Sequence, residues 1–145
     1  MAYEVCEDWF NCFHARFKYS RDLTNWSDTG GILGGNYYTA CPTIRYIDGW
    51  YYVFALADYG AKYATLLHRS KDLINWQESP QAVVSYDGPD INNNASDLDL
   101  VEFNGQTEIV YSNGYQEEFS NNGPSGIRRA KYLGTVEQFV GKFFK

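Results

Sequence analysis

The chain has 145 residues, room for one ordinary domain and too few for two. It is 44% hydrophobic and 21% charged, which excludes a disordered tail, and no apolar run approaches the roughly 20 residues a membrane-crossing helix needs. Eighteen acidic against twelve basic residues leave a net charge of −6, which argues against nucleic acid and anionic membrane as partners, because counterion-driven binding needs a basic footprint.

The chain opens inside a strand pattern, Tyr3-Glu4-Val5, with no preceding turn chemistry. It shows neither the basic n-region nor the apolar h-region of a signal peptide, so the start reads as that of a fragment or a truncated gene product and localisation stays unassigned. Cys6, Cys12 and Cys41 form no even disulfide framework and no CxxC metal pair, and are expected to be buried thiols. A second strand, aromatic and basic, covers 13–19 and runs into Ser20-Arg21-Asp22-Leu23-Thr24-Asn25-Trp26.

That string returns 50 residues later as Ser70-Lys71-Asp72-Leu73-Ile74-Asn75-Trp76, again after an aromatic and basic strand, 63–69. A second pattern is interleaved with it. Ile44 to Gly49 leads into the run 50–54, and Leu100 to Gly105 leads into 106–111. Asp48-Gly49 and Asn104-Gly105 are two-residue hairpin signals, because both central residues of such turns need positive φ. The run 50–56 is apolar without alternation, as a strand covered on both faces requires. In the repeated turn the Asp side chain accepts local backbone N–H groups, and Trp26 and Trp76 are expected to pack against the sheets. Thr135-Val136-Glu137-Gln138 is a capping box that opens a short helix through about residue 144.

Strand, hairpin, strand, strand and turn within about 50 residues is the size of one four-stranded propeller blade. The reading is therefore all-β: a single partial β-propeller domain over 1–145, with about two and a half to three blades and a short C-terminal helix. The blade-like units are expected at about 1–33, 34–85 and 86–145, too few to close a ring alone.

These strings, together with Ala40-Cys41-Pro42-Thr43 before the first hairpin and Ser96-Asp97-Leu98-Asp99 before the second, resemble the five-bladed β-propeller glycoside hydrolases of the family 43-like type. That family sits in the wider arabinanase, xylosidase and levansucrase group. The closing stretch from Ala130 to Thr135, with Phe139, Phe143 and Phe144, is similar to the C-terminal blade of such proteins. The resemblance implies that this chain carries the C-terminal half and lacks the first blade, which usually brings the general-base Asp. It also implies a site where the innermost strands converge on a central axis.

Glycoside hydrolysis needs two carboxyl groups, one to protonate the leaving oxygen and one to activate water or attack. Asp97 and Asp99 open the innermost strand of the last hairpin, and two residues apart on a strand they are expected to share a face. Like charges so placed repel unless a cation or an arginine stands between them. By the resemblance, Asp97 orients the acid or adjusts its pKa. Pro42 and Thr43 hold the equivalent strand start in the preceding unit, where Ala40 and Cys41 replace the family's acid, and Glu4 is the substitute donor. Asn94, Asp58 and Tyr115 lie where loops border the cleft, and there tyrosine faces suit sugar rings. Glu117 and Glu118 are read as solvated, His14 and His68 as ordinary strand histidines toward the outside of the ring, and Arg128 and Arg129 as solvent-exposed, with one of them neutralising a carboxylate across the ring as the alternative.

The expected function is thus a glycoside hydrolase-like fragment that binds or cleaves poly- or oligosaccharide by carboxylate acid–base chemistry. Its alternatives are a non-catalytic carbohydrate-binding or assembly module, or an inactive truncated product. No organic cofactor is implied; a structural Ca²⁺ near the axis, with Asp97 and Asp99 as oxygen ligands, is an option. Carbohydrate is the expected partner, with self-association or a second chain supplying the missing blades.

Overall fold

The structure, a computed structural model, describes residues 1–7, 13–35, 37–59, 62–85, 93–115 and 126–145. Within them the chain is mostly β, with three antiparallel sheets and one short C-terminal helix. The first sheet has the order β1 (Ala2–Val5), β2 (His14–Tyr19), β3 (Ser27–Leu33). The second runs β4 (Thr39–Ile47), β5 (Trp50–Tyr59), β6 (Lys62–Ser70), β7 (Gln77–Glu78). The third pairs β8 (Asn93–Phe103) with β9 (Gln106–Tyr115), and β9 with β10 (Gly126–Tyr132).

Local chemistry sets the hairpins. Asp48 and Gly49 adopt φ of 46° and 77°, and Asn104 and Gly105 adopt 51° and 71°, so both tight turns form where the sequence places them. β5 is buried without interruption from Tyr52 to Ala57, as its unalternating composition demands. It pairs without interruption with β6, from Tyr51↔Ser70 through Tyr59↔Lys62.

Sheets pack in chain order. Ala15, Phe17 and Leu33 of the first sheet meet Val53 and Ala55 of the second, with Ile44, Leu73 and Trp76 at the margin. The other face of the second sheet, Tyr52, Phe54 and Leu67, meets Leu98, Leu100 and Ile109 of the third, together with Phe139 and Val140 of the helix. Phe17, Phe54, Leu67 and Leu98 lose essentially all contact with solvent. Each such side chain contributes about 1.5–3 kcal/mol of hydrophobic stabilisation.

The twin turns are built alike. Asp22 Oδ1 accepts the N–H of Thr24 (2.9 Å) and Asn25 (2.8 Å), and Ser20 Oγ accepts that of Leu23 (2.8 Å). Asp72 Oδ1 accepts from Ile74 (2.9 Å) and Asn75 (2.8 Å), and Ser70 Oγ from Leu73 (2.9 Å). These bonds to the charged form hold both carboxyls far below the usual carboxylate range: for Asp22 the Asn25 side chain contributes most, for Asp72 the Asn75 backbone N–H. The two turns differ in what they cover. Trp76 stacks on Phe17 with ring centroids 5.0 Å apart, tying the second sheet to the first. A Cβ at Gly31 would lie 1.7 Å from the Leu73 carbonyl oxygen, so this turn seats directly on the backbone of β3. Trp26, expected to pack likewise, instead remains 37% exposed beside a 78% exposed Leu23, and its indole N–H is spent on the Leu23 carbonyl at 3.2 Å.

The capping box forms as read. Thr135 Oγ1 accepts the Gln138 N–H (3.2 Å) while Gln138 Oε1 accepts the Thr135 N–H (3.0 Å), opening α1 (Val136–Gly141) and a 3-10 turn, Lys142–Phe144. Arg69 of the second sheet lies between the Trp50 and Phe144 rings, 4.4 and 4.2 Å from their centroids, which fastens the C-terminus to that sheet.

The expectation for the cysteines needs correction. Cys6 is disulfide-bonded and Cys41 is free but exposed, so neither is a buried thiol; Cys12 lies outside the described residues. His14 on β2 and His68 on β6 are strand histidines, as expected, and both are fully enclosed, at 0% and 1% exposure. Arg128 and Arg129 are both exposed, as expected, and Arg129 donates to Glu108 on the adjacent strand β9 (2.9 Å) rather than to a carboxylate across the sheets.

Candidate functional site

β4 and β8, the first strands of the second and third sheets, each begin with the same irregularity. On β4 the register shifts between Ala40 and Thr43, so that Cys41 and Pro42 together oppose one residue of β5. On β8 it shifts between Ser96 and Asp99, placing Asp97 and Leu98 opposite one residue of β9. Cys41 and Asp97 both adopt φ of 52°, the left-handed region that non-glycine residues enter at a cost. Such bulges re-aim side chains, and these aim two of them at each other.

The Cys41 thiol hydrogen-bonds to the Asp97 carboxylate, and the Cys41 backbone N–H donates to Glu4 Oε2 of β1 at 2.8 Å. Strands from all three sheets therefore contribute to one point. Although part of Cys41 reaches solvent, loss of hydration around its sulfur pushes the thiol up to about 12; the hydrogen bond to Asp97 and the negative charges of Asp97 and Glu4 add to this. The thiol is thus favoured in its protonated form beside Asp97, while Glu4 takes the backbone N–H of the same residue. Ser96 Oγ, itself buried, donates to Asp97 Oδ2 at 2.6 Å and helps to fix the carboxylate.

An aromatic row borders this point. The Tyr38 ring stands 5.2 Å from Phe13 and 4.9 Å from Tyr63, centroid to centroid. Burial raises the Tyr38 phenol above its ordinary value, and Cys41, Tyr63, Glu4 and Asp58 add to the rise, which places all of them around it. Asp58 is exposed on β5, directly across from Tyr63 in the ladder. Phe13 is 40% exposed and also has a positive φ, 68°. Carboxylates that accept hydroxyl protons, beside aromatic faces that meet C–H surfaces, form the kind of mixed lining that suits a polyhydroxylated ring.

Of the residues singled out in the sequence, Glu4, Asp97 and Asp58 come together here. Pro42 lies in the β4 bulge and Thr43 rejoins the ladder opposite Phe54, both half-buried. Asn94 is half-buried opposite Gly114, just before the β8 bulge. The backbone of Tyr115 pairs with Asn93; its side chain, like Glu117 and Glu118, lies outside the described residues.

Asp99 departs from the expected arrangement. The bulge interrupts the two-residue period between it and Asp97, and the two carboxylates take different partners. Asp99 forms an ion pair with Arg45 of β4, whose guanidinium also donates to the Leu100 carbonyl at 3.2 Å. That pair sits in a separate open cleft of about 550 Å³, lined also by Ile47, Val101, Glu102 and Val136. Among the described residues no group of three or more His, Cys, Asp or Glu is placed to hold a metal ion, and Asp97 and Asp99 do not act as a pair.

The sequence reading missed Cys41, Tyr38 and Arg45 as parts of these sites. One signal was available: Cys41 stands seven residues before Asp48, and Asp97 seven before Asn104, so the two bulges fall at equal distances from their hairpin turns.

No family model matches the chain, and no curated protein is significantly similar to it.

Proposed function

We propose that the chain is part of a β-propeller of the glycoside hydrolase family 43-like type, its three sheets acting as blades, and that it binds an oligosaccharide at the Glu4–Cys41–Asp97 mouth. The observation that supports this most is the convergence of two carboxylates on one positive-φ cysteine, beside the Phe13–Tyr38–Tyr63 row. In this reading Asp97 and Glu4 accept sugar hydroxyls, the aromatic row carries the ring face, and hydrolysis uses the carboxyl pair for acid–base work. The test is a panel of nitrophenyl glycosides with calorimetric titration of arabino- and xylo-oligosaccharides, wild type against Asp97→Asn. Binding lost in the variant supports the site. Turnover by the wild type makes the chain an enzyme, binding without turnover makes it a recognition module, and the absence of both overturns the proposal.

A second reading, an assembly module, draws on one face of the third sheet. Val101, Phe103, Val110 and Ile127 are 61%, 64%, 44% and 74% exposed there. Glu108 is already paired with Arg129 and Lys131 on the same face, so covering it strands no carboxylate. A second copy of the chain is the occupant this reading names; light scattering that finds only monomer rejects it.

A further inference from the structure

Tyr37, His68 and Glu78 form a closed hydrogen-bonded group away from the mouth. His68 of β6 is 1% exposed, and its Nε2 lies 3.1 Å from Glu78 Oε2 of β7. The Tyr37 hydroxyl, from the connection between β3 and β4, donates to the same Glu78 oxygen at 3.1 Å and lies 3.3 Å from Nε2. The other ring nitrogen, Nδ1, is buried and has no hydrogen-bond partner among the described residues. A buried lone pair without a donor is cheaper than a buried N–H without an acceptor, so the proton belongs on Nε2 and points at Glu78. The surroundings agree: the hydrogen bond from His68 lowers the Glu78 carboxyl, and burial, aided by the Glu78 charge, raises the Tyr37 phenol.

This group ties the β3–β4 connection to β6 and β7, alongside the Tyr38–Tyr63 ring contact on β6. β6 and β7 share only two register pairs, His68↔Glu78 and Arg69↔Gln77. The connection held by Tyr37 is the one that carries Tyr38 to the mouth. It is pinned at its flanks by the Tyr37 N–H on the Gly34 carbonyl (3.1 Å) and the Thr39 N–H on the Phe13 carbonyl (2.7 Å).

We propose that Tyr37, His68 and Glu78 are positioning residues for the site: by anchoring the β3–β4 connection they hold Tyr38 against Cys41 and keep the thiol desolvated between Glu4 and Asp97. This rests on the reading of that mouth as the ligand site. Its test needs no sugar, so its failure and that of the carbohydrate reading are separable.

The readout is the rate of Cys41 alkylation by iodoacetamide at one fixed pH, followed by peptide mapping, with circular dichroism and thermal melts as controls. Glu78→Ala and Tyr37→Phe release Tyr38, hydrate the thiol and raise the rate several-fold. Glu78→Gln, whose amide oxygen accepts the same two hydrogen bonds, returns the rate to that of the wild type. In the wild-type protein, ¹⁵N spectra of the His68 ring are expected to show the proton on Nε2 and a bare Nδ1. Melting temperatures that fall while the Cys41 rate stays unchanged in Glu78→Ala would overturn the proposal, as would a ring protonated at Nδ1 alone.

Discussion

Cys41 and Asp97 are the same residue of two successive structural units: each stands at φ 52° in the opening bulge of its sheet's first strand, and their side chains hydrogen-bond to each other. The repeat thus produces more than similar sheets. It brings equivalent positions to one place, where a carboxylate in one unit faces a thiol in the other and Glu4 closes the third side.

The first prediction concerns that thiol. Its ionisation is pushed up to about 12, so alkylation of Cys41 is slow at neutral pH and still rising at pH 10. Asp97→Asn removes a negative charge and leaves only a neutral, weaker acceptor for the protonated thiol, which moves the profile to lower pH. The thiolate fraction at pH 8 then grows about tenfold for every pH unit by which the profile moves. A profile that does not move would show that Asp97 does not control the thiol.

Stability at low pH follows from the twin turns. The Asp22 and Asp72 carboxyls ionise more easily folded than unfolded, where the reference value is 3.8. Groups with a depressed folded pKa stabilise above their unfolded pKa and lose that contribution as pH falls. Urea midpoints should therefore hold steady from pH 7 to 5 and decline below pH 4. The double variant Asp22→Asn/Asp72→Asn starts lower at pH 7 and declines less steeply; parallel curves would contradict the assignment.

The two repeated tryptophans are expected to differ. Trp76→Ala removes a ring stacked on Phe17 between two sheets and should lower stability by about 3 kcal/mol. Trp26→Ala removes a largely solvent-facing ring and should cost about 1 kcal/mol or less. Equal losses in urea titrations would mean that Trp26 is covered in solution.

Gly31 tests the seating of the second turn. Alanine there forces the Leu73 carbonyl away and is expected to cost about 1–3 kcal/mol by overpacking. Gly126→Ala, with open space around the added carbon, serves as the control. Comparable unfolding midpoints for both would contradict the contact.

What the sequence disclosed was local. The Asp-Gly and Asn-Gly hairpins, the Asp22 and Asp72 turns and the Thr135 capping box depend on neighbours within four residues, so their side-chain chemistry is written in the string itself. The site is non-local. Strand alternation places Asp97 and Asp99 together, but an inserted residue parts them, and only the three-dimensional path brings Arg45 to Asp99 and Glu4 to Cys41. Tyr38 looked like any other aromatic in a chain holding 13 tyrosines, because its role comes from where the β3–β4 connection is fastened. Trp26 and Trp76 show the same limit in reverse: turns built alike, different surroundings.

The most direct test of the carbohydrate site is amide chemical-shift mapping of the ¹⁵N-labelled protein during titration with arabino- and xylo-oligosaccharides. Saturable shifts are expected at Cys41, whose N–H is held by Glu4, and at Tyr38 and Asp97, and they should vanish in Asp97→Asn. Shifts confined to the far face of the third sheet, around Phe103 and Ile127, or no shifts at all, would contradict it.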